Sequence, residues 1–372
     1  MRVPFLDLVS QYRETQSATD AALAEIFASG AYVLGKHNRE LEQRVAQMHG
    51  VAHGVAVNSG TDALRIVMQA CGIGPGDEVV TTAFTFVASV ETIVQLGARP
   101  VFVDIDRDTF QLDPQHLSRA LTARTKAVLP IHLFGQLCPM EEVCRFAEAN
   151  GLIVLEDAAQ AIGSVRNGKP AGSWGKAAGV SFYVTKNLGA AGDGGLVLTD
   201  DDEVAERSRS LRVHGMGRER YYYDEVGYTS RMAEIQAAVL CAKLDRLEAW
   251  TRRRGEIAEV YRAALADAPV ALPTVLPGNN HTYHQFTVRV PNRDAVADHL
   301  RAQQVDSAVY YPVPIHMHAP YAPFGHGEGS LPVTEEVCRT CLSLPVQPHL
   351  TDEQVQWAAS CVRESLAAAP AG

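Results

Sequence analysis

Three short stretches of this sequence hold residue types that could do chemistry together. The first is Asn58-Ser-Gly-Thr-Asp-Ala-Leu64. Small residues at a strand-to-helix turn let backbone N–H groups approach a phosphate, and the helix dipole favours its charge. A capped helix start accounts for the same residues. The second is Leu155-Glu-Asp-Ala-Ala-Gln160, where an acid after an apolar run either faces a ligand or caps a helix. The third is Val180-Ser-Phe-Tyr-Val-Thr-Lys-Asn-Leu-Gly189, followed by Ala-Ala-Gly-Asp-Gly-Gly195. Here a strand delivers Lys186 into a glycine-rich loop, although a surface lysine in a turn reads the same way. Lysine is scarce: the six are Lys36, Lys126, Lys169, Lys176, Lys186 and Lys243, and every other basic residue apart from histidine is arginine. A lysine retained in such a loop has a chemical use open to it, because only the amine can lose a proton and form a Schiff base.

The glycines raise a nucleotide loop, but the G-x4-G-K-[ST] spacing is met neither here nor at Gly175-Lys176. No G-x-G-x-x-G opens a helix either, which removes the usual dinucleotide fingerprint. One cofactor fits all three segments. Pyridoxal phosphate needs a phosphate cup, a lysine for its aldehyde and an acid against its pyridine nitrogen. Thr81-Thr-Ala-Phe-Thr-Phe86 adds aromatics at a strand end for the ring face.

The elements that must position these residues alternate. Helical spacing covers Thr61–Cys71, Val90–Leu96, His116–Leu121 and Met140–Ala149. Strand-like runs cover Glu78–Thr82, Pro100–Asp104, Lys126–Leu133 and Leu152–Leu155. Such alternation predicts an α/β fold with a mainly parallel sheet, and ligands in such sheets bind beyond the carboxyl ends of the strands. A helical pattern runs from about Arg231 to Leu265. A strand at Tyr283–Val290, a helix at Arg293–Gln303, a loop dense in Pro, His and Tyr, and a last helix at Asp352–Ala368 follow. This reads as a large α/β domain over residues 1–245, whose first segment may pack with a smaller C-terminal α+β domain over residues 246–372.

Composition narrows the classes. The 372 residues are 47% apolar and 20% charged, an ordinary globular balance. A net charge of −10 excludes a general nucleic-acid binder, which carries a basic stripe. No apolar run is long enough for a membrane span. The opening residues, with Asp7, do not read as a signal peptide. Seven scattered cysteines, an odd number, predict reduced thiols and a cytoplasmic protein. Cys338 and Cys341 lack a second pair to complete a zinc set, and no metal is expected.

The sequence resembles the DegT/DnrJ/StrS aminotransferases. The resemblance rests on Pro4-Phe-Leu-Asp-Leu8, Ser59-Gly-Thr-Asp-Ala-Leu64, Thr85-Phe-Val-Ala-Ser89, Glu156-Asp-Ala-Ala-Gln160 and Ser181-Phe-Tyr-Val-Thr-Lys-Asn-Leu-Gly189. It continues through Gly192-Asp-Gly-Gly195, Leu211-Arg-Val-His-Gly215, Ser230-Arg-Met-Ala-Glu-Ile-Gln-Ala-Ala238, Tyr283-His-Gln-Phe and Tyr311-Pro-Val-Pro-Ile-His316. It implies a fold-type-I pyridoxal-phosphate transferase, homodimeric with shared active sites. It implies Lys186 as Schiff-base lysine and proton shuttle, with Asp157 on the pyridine nitrogen and Gln160 beside the ring. Phe86 would stack on the ring, and Gly60, Thr61 and Ser181 would hold the phosphate. Arg231 is a candidate for the substrate diphosphate, with a helix-start salt bridge as its plain alternative, and His316 is a candidate substrate contact. One position departs: where the family has an Asn reaching the neighbouring subunit's phosphate, this chain has Thr229. Thr229 is either a shorter substitute or a helix cap.

The activity so implied moves an amino group from an amino acid, L-glutamate, through pyridoxamine phosphate to a nucleotide-linked ketosugar in amino-deoxysugar biosynthesis, of the antibiotic kind. Tyr283-His-Gln-Phe favours a dTDP-3-keto-6-deoxyhexose. The alternatives are C4 amination of a dTDP- or UDP-4-ketosugar, and a non-catalytic sugar-nucleotide-binding regulator of the same fold.

Overall fold

The computed structural model describes residues 1–368; the last four residues of the Ala/Pro/Gly-rich tail lie outside it. Two helices come first, α1 (Leu8–Ser29) and α2 (Lys36–His49). Asp7 caps α1 by accepting from Ser10 N–H at 2.9 Å. Gly30 and Gly50 close the two helices with φ of 68° and 65°, the left-handed conformation a helix C-terminus uses. Then come β1 (His53–Val57), α3 (Gly60–Ala70), β2 (Glu78–Thr82), α4 (Ala88–Gln95), β3 (Arg99–Val103), β4 (Thr125–Val128), α5 (Met140–Ala149) and β5 (Ile153–Asp157). A short hairpin of β6 (Val165–Arg166) and β7 (Lys169–Pro170) leads to β8 (Ala177–Ser181), β9 (Gly195–Thr199) and α6 (Asp202–Leu211). The helices α7 (Glu234–Leu244) and α8 (Leu247–Leu265) follow.

The strands form a seven-stranded sheet in the order β1-β9-β8-β5-β4-β2-β3. Only β9 runs against its neighbours. Both faces are covered, and the alternation of side chains along each strand shows it. Val79, Leu155 and Val197 pack into one cluster with Leu64 and Val67 of α3. Val80, Val154, Leu196 and Leu198 pack into another with Val143 of α5 and Leu240 of α7.

The C-terminal part adds β10 (Asn279–Asn280), which pairs with β6, and a two-stranded sheet of β11 (Phe286–Arg289) and β12 (Cys341–Leu344). Around it lie α9 (Arg293–Ala302), α10 (Pro332–Thr340) and α11 (Asp352–Ala368). Tyr261 of α8, Phe286, Leu300, Leu344 and Val355 share one core with Val3, so the first residues of the chain pack with the last ones.

Three expectations are corrected. The strand foreseen to Leu133 stops at Val128, because Pro130 has no N–H for the ladder; Leu133–Gly135 is a 3-10 turn with Phe134 at φ 62°. The stretch His116–Leu121 lies in a 3-10 helix, Pro114–Ala120, not an α-helix. The helical run from Arg231 is two helices, and the first begins only at Glu234.

Candidate active site

The carboxyl end of β5 places two buried acids back to back. Consecutive strand residues point to opposite faces. Glu156, fully buried, accepts from Trp174 N–H and Gly175 N–H on one oxygen, both at 2.7 Å. On the other it accepts from Gly172 N–H at 2.7 Å and His132 Nε2 at 2.8 Å. Burial alone would raise its pKa, but His132 and the Gly175 and Gly172 amides outweigh it and hold the carboxyl below its usual range. Glu156 is spent on holding the 172–175 turn.

Asp157 has a sparser set of donors. Ser89 Oγ, from α4, donates at 2.6 Å, Ala159 N–H donates at 3.1 Å, and Thr85 Oγ1 lies 2.9 Å behind Ser89. Burial is the largest influence and raises the Asp157 pKa, against the pull of Ser89, Ala159 and the positive charge of Lys186. A buried carboxylate in this state gains from a cationic N–H partner.

Lys186 sits in a loop that is tied down at several points. Its N–H donates to the Tyr183 carbonyl at 2.8 Å, and Ala190 N–H donates to that of Phe182 at 2.8 Å. The buried Lys243 of α7 donates to the Gly189 carbonyl at 2.7 Å. Asn187 donates to the Thr282 carbonyl at 3.0 Å and faces His284 Nδ1 at 3.3 Å. Among the described residues the Lys186 amine has no hydrogen-bond acceptor and no ion pair. Desolvation lowers its pKa to about 8, with the Asp157 charge partly opposing. The neutral amine, the form a nucleophile needs, is therefore far more populated near physiological pH than in an ordinary lysine, although the cation still predominates.

Next to this loop, α3 starts against the end of β8. Ser59 Oγ caps α3 at Asp62 N–H, 3.1 Å. The amides of Gly60 and Thr61, in the first turn, have no intrahelical acceptor. A Cβ on Gly60 would lie 2.8 Å from Ser181 Oγ, so only glycine brings the helix start this near the Ser181 hydroxyl. Two free amides and a hydroxyl converge there as an anion cradle. Gln160 accepts from Phe134 N–H at 2.8 Å and donates to the Tyr311 hydroxyl at 3.1 Å. The Phe86 ring is 54% exposed, 6.3 Å from that of Tyr311, an uncovered aromatic face of the kind a flat ring covers. These residues fit pyridoxal phosphate: a cradle for its phosphate, an acid for its nitrogen, a free amine for its aldehyde and an aromatic for its face.

The remaining expected residues lie elsewhere or act differently. Thr229 is exposed and its hydroxyl pairs with His214 Nε2 at 3.0 Å. It does not cap a helix, since the residue before α7 is Ala233. Arg231 makes no ion pair among the described residues, so the helix-start salt bridge is not formed. His316 is 1% exposed, faces Glu335 at 3.3 Å and packs beside Phe102. In this structure the His316 ring is buried against Glu335, and Tyr311 is the residue of that segment that reaches Gln160. Ser89 and Tyr311 lie within the Thr85–Ser89 and Tyr311–His316 motifs, and nothing local in the sequence marks either one for these contacts.

The family model of the DegT/DnrJ/EryC1/StrS aminotransferase family matches residues 13–363. This chain belongs to that family. One family relative, 44% identical over 98% of both chains, is a pleiotropic regulatory protein of Geobacillus stearothermophilus. Another, 43% identical over 98% of this chain and 96% of its own, is a dTDP-3-amino-3,4,6-trideoxy-alpha-D-glucose transaminase of Streptomyces venezuelae. Among solved family structures, S. venezuelae DesV in complex with a ketimine intermediate superposes with a TM-score of 0.95 at 43% identity, covering 98% of each chain. The fold is thus the fold-type-I aminotransferase architecture. No helix among the described residues is long and apolar enough to cross a membrane.

Proposed function

We propose that this chain is a pyridoxal-phosphate-dependent sugar aminotransferase that moves the amino group of L-glutamate to the C3 carbonyl of a dTDP-linked 3-keto-6-deoxyhexose. The observation that carries the reading is the Lys186 amine, without a partner among the described residues and with its pKa drawn to about 8, near enough to the buried Asp157 for their charges to act on one another. The choice of C3 rests on Tyr283-His-Gln-Phe286 and on the dTDP-3-amino-sugar relative.

When bound, the cofactor supplies an electron sink that lets the Cα–H bond of an amino acid break. The chain's own residues do the rest. Gly60 and Thr61 amides and the Ser181 hydroxyl hold the phosphate. Asp157 keeps a proton on the pyridine nitrogen, and Ser89 fixes which carboxylate oxygen faces it. Phe86 covers one face of the ring and Gln160 flanks it. Lys186, with its amine free, would take the Cα proton of the donor as a base and return it as an acid to the cofactor's C4′ carbon. The second half reverses these proton movements with the ketosugar. Arg231, without an acid partner among the described residues, suits the sugar's diphosphate. In a homodimer, Thr229 reaches the neighbouring subunit's phosphate cradle.

The test is a purified enzyme reconstituted with pyridoxal phosphate. L-Glutamate should abolish the visible cofactor band, and one member of a panel of dTDP-, UDP- and GDP-linked 3- and 4-ketosugars should restore it. NMR of the product then reads the aminated carbon. Amination at C4 would overturn the C3 assignment. The regulatory relative favours one second reading, a sugar-nucleotide sensor. A sensor binds the sugar while its cofactor band ignores glutamate.

A further inference from the structure

We propose that His37, Glu40 and Cys241 form a site for one thiophilic divalent cation, with Zn²⁺ as the probe, in the seam between α2 and α7. A ring nitrogen, a carboxylate oxygen and the thiol sulfur of these residues all lie within 4.8 Å of one another. His37 and Glu40 are three residues apart on α2, so they share a helix face. Cys241 arrives from α7. His37 and Cys241 are 8% and 6% exposed, while Glu40 stands on the open side.

The seam is fixed without any ion. Glu234, at the start of α7, is 1% exposed, and its carboxylate accepts from Gly35 N–H at 2.8 Å, His37 N–H at 2.5 Å and Asn38 Nδ2 at 2.6 Å. Two groups in this rigid frame remain poorly used. His37 Nε2 is buried with no hydrogen-bond partner among the described residues, which is costly for a polar atom. The Cys241 thiol has only a long contact, 3.6 Å, to the His37 carbonyl. A cation or its bound water would give the imidazole a partner.

One nitrogen, one oxygen and one sulfur ligand suit zinc, with water in the fourth position on the solvent side. Ligand atoms around tetrahedral zinc stand roughly 3.3–3.8 Å apart, given bonds of about 2.0–2.3 Å. The cluster must therefore close by up to about 1–1.5 Å, and the exposed Glu40 side chain can supply part of that movement once it leaves Arg44. The thiol proton leaves to solvent on binding. Thiolate and carboxylate then carry two negative charges against the dication. Arg44 opposes this, since it bonds Glu40 at 3.1 Å and the Cys241 carbonyl at 3.3 Å. It also pairs with Asp245, so loading moves Glu40 from Arg44 to the cation and leaves Arg44 its other acid.

The experiment uses the cofactor-loaded enzyme, stripped of metal by chelator and dialysed against zinc chloride. Metal per chain and melting temperature are read together. One zinc per chain and a raised melting temperature are expected. Cys241→Ser and His37→Gln, tested separately and checked for an unchanged cofactor band, should weaken zinc by more than the roughly 10–100-fold that an outer partner is worth. Both should also lose the thermal shift. Arg44→Gln should bind zinc more tightly than the parent. No retained zinc, or zinc retained equally by Cys241→Ser and His37→Gln, overturns the site.

Discussion

Glu156 and Asp157 follow one another on β5, and solvent reaches 0% of one and 4% of the other. Glu156 looks into a turn that offers it three backbone amides and an imidazole. Asp157 meets one hydroxyl and one amide, together with the charge of Lys186. Burial pushes both pKa values up. Four donors reverse the push for Glu156, and two donors do not for Asp157. Neighbouring acids driven apart in this way mark a division between holding the fold and holding chemistry. The first is an anion fully paid for by its surroundings; the second is waiting for a cation.

The linkage to pH has opposite signs. The folded pKa of Glu156 lies below its unfolded value, so its contribution is present above the unfolded carboxylate range and is lost as pH falls. The folded pKa of Asp157 lies above its unfolded value, so in the cofactor-free chain its ionisation subtracts stability as pH rises through that range.

Four substitutions break or sharpen the comparison. Lys186→Ala removes the positive charge on which Asp157 draws and should leave a folded protein with no detectable turnover. Borohydride reduction of the parent holoenzyme should label Lys186; label on Lys169 or Lys176 instead would sink the assignment. Asp157→Asn should lower turnover by about 3–5 kcal/mol, or some two to four orders of magnitude, the scale of losing a buried charge partner. The same change should raise the melting temperature of the cofactor-free protein at neutral pH, because it removes an unfavourable buried charge. A fall would mean that Asp157 is structural, like Glu156.

Glu156→Gln should do the reverse. It leaves amide donors facing an amide and should cost about 3 kcal/mol of stability, measured by denaturant unfolding. What remains folded should turn over at close to the parent rate, and the loss of stability towards acid pH should flatten. The smallest effect belongs to Thr229→Val. Removing one neutral hydrogen bond should loosen the cofactor by about 0.5–1.5 kcal/mol, read from its dissociation rate. Unchanged retention with a lower melting temperature would reduce the hydroxyl to its local contact with His214.

Much of the scaffold was legible because its signals are local. The start of α3 is set by Ser59 and the small residues after it, α5 follows apolar spacing that stops where expected, and α11 begins at Asp352 as its pattern predicts. Errors came where a single residue overrode a pattern. Pro130 ended a strand that its neighbours would have continued, and the break at Asp245–Arg246 divided one helical run into α7 and α8. The His316 ring, in a loop rich in reactive residues, is buried against Glu335, 19 residues on.

By itself the sequence determined the chemical inventory: a lone lysine in a glycine-rich loop, an acid pair after an apolar run, and a glycine and hydroxyls where a phosphate cup would be. It also determined the alternation that brings strand ends to one edge, since side-chain period and turn residues act over a few positions. Only the tertiary structure decided which acid of the pair meets the charge of Lys186. The groups that decide it come from afar: Ser89 stands 68 residues from Asp157, and Tyr311 stands 151 from Gln160. The same holds for the seam where His37 meets Cys241 across 204 residues. Spacing along a chain carries no record of such meetings, because they are set by how layers of helices settle on the sheet, and that is a sum over the whole core.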